Sequence, residues 1–341
     1  MVKHRAQLIA DRKEPDMEFS EKRDVYADIA TLYYLGDLHQ DEIARIYNIS
    51  RFKVSRILKK CKEQKIVTFQ INASKNRSAT LALQLQQKLH LDNVIVTSSG
   101  STLQDTKNFV AREAARYLQE IIRDGMFVGV SWGTTVQTLL HYYMPQGLND
   151  VTYVQLSGSI CSKPIIDQGY MDGSEVIRSL ASKTGDTSDW SAFQVPYIVG
   201  QPELRDLLLK EPVIAQHIAL LDRLDVACLG VGSSLPEKSV SYLSGYLTLD
   251  ESEQLVKDGC AADIGGIRVY QDGTIAEHPL LKDRVLTISP ESLLKAPVRI
   301  AVAAGRDKAE SLIAGARSGL INVFILDEIA ALAALEQLGQ E

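Results

Sequence analysis

Residues 127–135 read FVGVSWGTT, and the reading of this stretch decides the fold. Its first four residues are apolar, with Val128 and Val130 flanking a glycine, which fits a strand buried on both faces. Gly133 breaks the run, and Thr134 and Thr135 stand where a helix would begin. A buried strand that enters a glycine-bearing turn and then a helix is the first half of a β–α–β unit. The turn also carries chemistry. Gly133 allows a ligand to approach the backbone, and the two threonines supply hydroxyls beside free amides, an arrangement that favours phosphate.

The same alternation continues on either side. Strand-like runs fall at residues 93–97, 126–131, 152–156, 225–229, 299–303 and 322–326. Helical patterns lie between or after them, at 104–122, 135–143, 173–183, 203–209, 213–221, 307–318 and 328–338. The predicted fold class is therefore α/β, a Rossmann-like parallel sheet covered by helices on both faces. Three more strand ends carry glycine with hydroxyls or charges: Gly158 in LSGS (156–159), Gly232 and Ser233 in GVGSS (230–234), and Lys308 in AGRDK (304–308). Ligands of open α/β sheets sit off the carboxyl ends of the strands, so these turns are expected to converge. Asp263, in ADIGG (262–266), is expected to accept bonds from sugar hydroxyls. Lys308 is the expected counter-charge for phosphate, with Arg306 as a helper. Turns also use glycine and serine for geometry alone, so Gly158 or Gly232 taken singly fits a packing turn equally well. Trp132 reads as a core or interface residue.

Upstream, residues 38–67 read LHQDEIARIYNISRFKVSRILKKCKEQKIV. Ile43, Ala44, Ile46 and Tyr47 give a short helix an apolar face, and Asn48-Ile49-Ser50 makes a tight break. Ser50 is a suitable N-cap for a second helix. There Val54, Ile57, Leu58 and Cys61 face inward at i, i+3, i+4 and i+7. Arg51, Lys53, Ser55 and Arg56 then lie on or near the outward face of its first turns. In a helix-turn-helix those turns enter the major groove, where arginine can read guanine and lysine or serine can hold phosphate. Residues 24–34 read as a supporting first helix, and Ile66 to Ile71 as a small wing.

Charge supports this division. The chain of 341 residues has a net charge of −6, yet residues 1–75 hold 15 basic against 11 acidic residues, leaving 22 against 32 in the remainder. From Arg45 to Lys65 there are eight basic residues and one acid, Glu63. Such a stripe is a footprint for a phosphate backbone, although a charge run by itself also describes a solvated helix face. The expected boundaries are an extension at 1–20, a helix-turn-helix domain at 21–71, a linker at 72–79 and an effector and oligomerisation domain at 80–341. No apolar run is long enough for a membrane span, and residues 1–19 lack a signal-peptide core. Cys61, Cys161, Cys228 and Cys260 form no CxxC pair, which argues against zinc or a disulfide framework and for a reducing cytoplasm. The histidines lack metal-ligand spacing, and no metal or cofactor is expected. No GxSxG elbow, Walker A or HExxH motif occurs.

At these residues the chain resembles the SorC-type family of sugar-responsive transcription regulators. The resemblance is carried by DEIARIYNISRFKVSRIL (41–58), GVSWGTT (129–135), DVACLGVGS (225–233), ADIGG (262–266) and AVAAGRDKAESLIAGARSGLINVFILDE (301–328). It implies an effector domain related in fold to sugar-phosphate isomerases, a phosphorylated sugar effector, and a homotetramer or dimer on palindromic operator DNA. By position it implies phosphate binding by Thr134, Thr135 and Lys308, a sugar site lined by Gly232, Ser233 and Asp263, and DNA contacts from Ser50, Arg51, Lys53, Ser55 and Arg56. The sequence departs from the family pattern at His39, where a threonine cap is usual, and at Ser157-Gly158-Ser159 and Ala304-Gly305, where paired glycines are usual. The alternative reading is a sugar-phosphate isomerase or deaminase with an appended DNA domain. That would need a general base, for which Asp263 is the one obvious candidate and no histidine partner is indicated. The expected class is a regulator, not an enzyme.

Overall fold

The computed structural model describes residues 19–67 and 75–340, apart from residues 161, 163, 164, 166 and 168. The chain forms two compact units, residues 1–70 and 71–341.

The first unit contains α1 (Phe19–Tyr34), α2 (Gln40–Ile46) and α3 (Arg51–Glu63). Its core is built from the predicted inward stripe: Val54, Ile57, Leu58 and Cys61 of α3 meet Ile43 and Ala44 of α2 and Tyr26, Ile29 and Ala30 of α1. Between α2 and α3, Asn48 adopts a left-handed φ of 51°, a conformation that asparagine tolerates better than most side chains. The Ser50 hydroxyl then accepts the Lys53 amide at 3.2 Å and caps α3. At the start of α2, where His39 replaces a threonine, the Glu42 carboxylate accepts the His39 amide at 2.8 Å. Helix α1 begins at Phe19, so the last two residues of the expected extension are helical. Ile66 and Val67 close α3 by donating to the Cys61 carbonyl at 2.8 and 3.1 Å. The rest of the predicted wing lies outside the described residues.

The second unit begins with α4 (Lys75–Leu89), so residues 75–79 of the expected linker belong to a helix. Then follow β1 (Asn93–Thr97), α5 (Leu103–Ile121), β2 (Phe127–Val130), α6 (Thr134–Leu139), β3 (Thr152–Gln155), α7 (Gly173–Thr184) and β4 (Asp189–Ser191). The chain continues through α8 (Pro202–Lys210), α9 (Pro212–Leu221), β5 (Val226–Ser233), α10 (Val240–Leu243), α11 (Leu249–Lys257), β6 (Cys260–Ile264) and β7 (Ile267–Tyr270). It closes with α12 (Pro290–Lys295), β8 (Val298–Ala303), α13 (Ala309–Arg317), β9 (Val323–Asp327) and α14 (Glu328–Leu338).

Seven strands form a parallel sheet in the order β1-β9-β8-β5-β2-β3-β4. Side-chain alternation feeds two cores. Val226 and Cys228 of β5 pack on one face with Val110, Ala114 and Leu118 of α5. Ala227 and Leu229 pack on the other with Leu81 and Leu85 of α4 and with Ala330 and Ala334 of α14. From β2 the chain winds outward to β3 and β4, then returns to β5 and winds the other way. The switch point lies between β2 and β5, where open α/β sheets form a ligand crevice.

β5 runs past the parallel sheet and pairs antiparallel with β6, placing Gly232 opposite Asp263. β6 and β7 form a hairpin around Gly265 and Gly266, with φ of 58° and 102°. Two consecutive positive φ values suit a two-residue hairpin turn and favour glycine. Neither β6 nor β7 is among the strands expected from the sequence. Among the described residues no helix is long and apolar enough to cross a membrane.

Candidate functional site

A cavity of about 290 Å³ opens at the carboxyl ends of β2, β5 and β8, at the switch point. Its edge is fixed by the turn after β2. The Ser131 hydroxyl accepts the Gly230 amide at 2.9 Å, tying the ends of β2 and β5 together. Gly133 follows with φ of 152°, beyond the comfortable range of an L side chain, and its carbonyl accepts the Gln137 amide at 2.8 Å to start α6.

Gly133, Thr134, Thr135, Gly232, Ser233, Asp263 and Lys308 all line this cavity. Gly158 does not. A Cβ there would sit 2.7 Å from the carbonyl oxygens of Val195 and Pro196, so its glycine answers to packing. Its own carbonyl accepts the Trp132 indole N–H at 3.2 Å. Arg306 also stays away, paired with Glu336 at 2.6 Å on the surface. Trp132, read from the sequence as a core or interface residue, is half-buried, packs against the cluster that includes Ile160 and Tyr197, and also lines the cavity. The ring stands edge-on to Tyr197 at 5.2 Å and to Tyr170 at 6.5 Å.

Three lysines, Lys107, Lys238 and Lys308, line the cavity. Lys308 is half-buried, and burial pushes its pKa down; Asp307 opposes this, while Lys107 and Lys238 add to it. Lys107 was missed by the sequence reading. It projects from α5 and donates to the Thr134 hydroxyl at 3.0 Å, and burial lowers its pKa as well, against the attraction of Asp307. A signal for it existed: Thr106, Lys107, Val110, Ala111 and Ala114 form the inward stripe of α5, and a lysine on that stripe needs a reason. Lys238 also lines the cavity and pairs with Asp307 at 3.1 Å.

The lining also holds an anion, Asp263, which is tightly held. Asp263 accepts the Gly266 amide at 2.8 Å and the Tyr197 hydroxyl at 3.1 Å, and pairs with Arg268 at 3.2 Å. Arg268, only 3% exposed, also donates to the Ser241 hydroxyl at 2.7 Å. Burial, aided by the Asp263 charge, raises the Tyr197 pKa, which keeps its phenol a donor. A carboxylate has about four lone-pair positions. Three are filled here, leaving capacity for a ligand hydroxyl. Among the described residues no histidine lines the cavity.

In the first unit, Ser50, Arg51, Ser55 and Arg56 are exposed and Lys53 is half-buried, all at the start of α3. No acid occupies that first turn. Arg51 and Lys53 therefore oppose the helix macrodipole, an imbalance that anionic phosphates would relieve. Arg51 approaches Asp41 at a loose 3.9 Å with both side chains exposed, so the pair contributes little. Phe52, 83% exposed in the same turn, went unremarked in the sequence.

A family profile described as "Putative sugar-binding domain" matches residues 74–336. The chain is 27% identical over 316 residues to the sorbitol operon regulator of Klebsiella pneumoniae, covering 91% of this chain and 96% of that protein. It is 26% identical over 326 residues to the deoxyribonucleoside regulator of Bacillus subtilis strain 168, covering 93% and 99%. The crystal structure of the full-length sorbitol operon regulator SorC from Klebsiella pneumoniae superposes with a TM-score of 0.68 at 25% identity, covering 92% of this chain and 98% of that one.

Proposed function

The chain belongs to the SorC-type family of sugar-binding transcriptional regulators, and on that premise we propose that its first unit binds operator DNA under the control of a phosphorylated sugar held in the second. The observation that carries the reading is the cavity itself. It sits at the switch point of the sheet, and its lining brings together Thr134, Thr135 and Lys308 with a fixed acceptor, Asp263. A phosphate would meet charge and hydroxyl donors there, and a sugar hydroxyl a carboxylate. Gly133, Gly232 and Ser233 supply close-lying backbone and a further hydroxyl.

For the DNA half, support comes from the capped α3 and its unbalanced positive first turn. Arg51, Lys53, Ser55 and Arg56 contact DNA in this reading, while Ser50 mainly holds the helix start. Effector and DNA are linked: a sugar phosphate that prefers one arrangement of the protein shifts DNA affinity by the ratio of its affinities for the two. A homodimer or homotetramer on a palindromic operator, working in the cytoplasm without a cofactor, completes the proposal. Asp263 serves as an acceptor and not as a base, and no turnover is expected.

The test is a thermal-shift screen of the full chain with hexose and pentose phosphates against their unphosphorylated parents. A bound ligand at one hundred times its Kd stabilises by about 2.7 kcal/mol. The expected result is a raised melting temperature with a phosphorylated member and none with its parent. A parent sugar that stabilises as well as its phosphate would remove the phosphate role, and sustained conversion of any sugar phosphate would restore the enzyme reading.

A further inference from the structure

We infer that Lys107 and Lys308 act as a two-cation clamp for a single phosphate monoester dianion, and that the cavity thereby selects sugar monophosphates over bisphosphates. The inference rests on the effector reading above and narrows it. It starts from charge. Lys107, Lys238 and Lys308 line one cavity with the carboxylates of Asp307, Glu237 and Asp263; Lys238 engages Asp307 at 3.1 Å and Arg268 engages Asp263 at 3.2 Å. The Lys107 ammonium is held at the phosphate turn by its bond to Thr134, 3.0 Å long. Lys107 and Lys308 are partly desolvated; Asp307 favours both charges, while Lys107 and Lys238 disfavour that on Lys308. Two like charges kept together out of water cost free energy, which an anion arriving between them relieves. A phosphate monoester, whose second pKa is about 6, brings two negative charges at neutral pH. That is one for each of the two lysines.

A second phosphate finds no such place. Asp263, whose counter-ion Arg268 is spent on it and on Ser241, and Glu237 are the other charged groups of the lining apart from Asp307, and Trp132 and Tyr170 also line it. A bisphosphate would therefore set its second dianion against carboxylates and aromatic faces. The cavity, about 290 Å³, is also at the small end of the roughly 300–1,000 Å³ usual for ligand sites, which suits one small sugar.

The experiment uses the full chain and matched pairs: fructose 6-phosphate with fructose 1,6-bisphosphate, glucose 6-phosphate with glucose 1,6-bisphosphate, and ribose 5-phosphate with ribose 1,5-bisphosphate. Inorganic phosphate at pH 8 is the probe for the clamp alone. Affinities come from thermal-shift titrations of the wild type, Lys107→Gln and Lys107→Arg. In every pair that binds, the monophosphate is expected to bind at least about tenfold tighter than the bisphosphate. Lys107→Gln is expected to weaken it about tenfold or more, the worth of a charge-assisted bond, and Lys107→Arg to restore most of it. Without ligand, Lys107→Gln should melt no lower than the wild type, because it removes a like-charge contact; a purely structural lysine would lower it. A bisphosphate that binds as tightly as its monophosphate, or a Lys107→Gln affinity equal to wild type, overturns the inference while leaving the sugar-phosphate reading intact. Lys107-dependent binding of inorganic phosphate with no sugar phosphate bound would sustain the clamp and overturn the sugar reading. Absence of binding by every probe would overturn both.

Discussion

Asp263→Ala provides the sharpest test of how the sugar end of the cavity is built. The substitution removes three hydrogen-bonding partners at once: the Tyr197 hydroxyl at 3.1 Å, the Gly266 amide at 2.8 Å and the Arg268 guanidinium at 3.2 Å. Its largest consequence is on Arg268, 3% exposed, which would be left as an uncompensated charge in the interior. Removing one partner of a buried pair costs about 3–5 kcal/mol, most of it the desolvation of the partner left behind. In a domain of this size each kcal/mol moves the melting temperature by about 2–4 °C, so the expected loss is roughly 6–20 °C. Arg268→Met should then rescue: the double variant Asp263→Ala/Arg268→Met is expected to be more stable than Asp263→Ala alone, because the stranded charge is gone. Thermal and urea melts of the wild type and the three variants complete the cycle. A loss below about 1 kcal/mol for Asp263→Ala, or strictly additive losses in the double variant, would refute the claim that Asp263 and Arg268 are held as a coupled buried pair. A corollary concerns ligand assays: loss of effector response in Asp263→Ala reports the fold of the site as much as a contact with sugar.

His217 carries a second prediction. Its Nε2 lies 2.9 Å from the Gln155 carbonyl and its Nδ1 2.7 Å from the Ser191 hydroxyl, and burial pushes its pKa down to about 4 from 6.5, the Gln155 bond opposing. The unfolded state therefore gains a proton first as the pH falls, so stability is full above pH 6.5 and declines between 6.5 and 4 by up to about 3 kcal/mol; His217→Gln should flatten that slope in melts from pH 7 to 4.5, and an unchanged slope would remove His217 as its source. Arg56→Ala, at an exposed position, should leave the melting temperature unaltered and weaken operator binding by about 1–3 kcal/mol if it reads a base; unchanged affinity in a gel shift at moderate salt would exclude it from the interface. Trp132 and Trp190 are the two tryptophans of the chain. In Trp190→Phe the emission comes from Trp132 at the cavity wall, and a sugar monophosphate that raises the melting temperature should change it; constant emission would mean that the ligand sits elsewhere.

The parallel sheet was legible because its strands are apolar on both faces and short. β1 falls on the residues predicted, and β2, β3, β8 and β9 lie within one or two residues of expectation. The extension of β5 was not foreseen, since its second half, GVGS, looks like a turn and becomes a strand only by pairing with β6. The β6–β7 hairpin had a visible signal, CAADI and IRVY around a glycine pair, that the list of expected strands omitted. α4 was hidden because its first turn is polar and resembles a linker. β4, three residues at the sheet edge, is too short for periodicity to register.

For the cavity, the turn chemistry at Gly133, Thr134 and Thr135 is local, so the sequence displays it. One partner of Asp263 is not local: Tyr197 lies 66 residues away, on a segment held by backbone bonds to Ser159 and Leu286. Gly158 shows the reverse error. Its requirement comes from the carbonyls of Val195 and Pro196, remote in sequence, and no inspection of LSGS distinguishes that from a ligand turn. Lys107 was findable by asking why a lysine sits on a buried helical stripe.

The central claim is that occupation of the sugar cavity changes DNA affinity. Fragments retained by the full chain from a genomic library supply a DNA probe, and fluorescence anisotropy at fixed salt then gives its Kd with and without the sugar phosphate that raises the melting temperature. The account predicts a change of about 5- to 150-fold, the range of ordinary coupling energies, and its loss in Lys308→Ala with DNA binding retained. An identical Kd in the presence of a ligand shown to fill the cavity would contradict it.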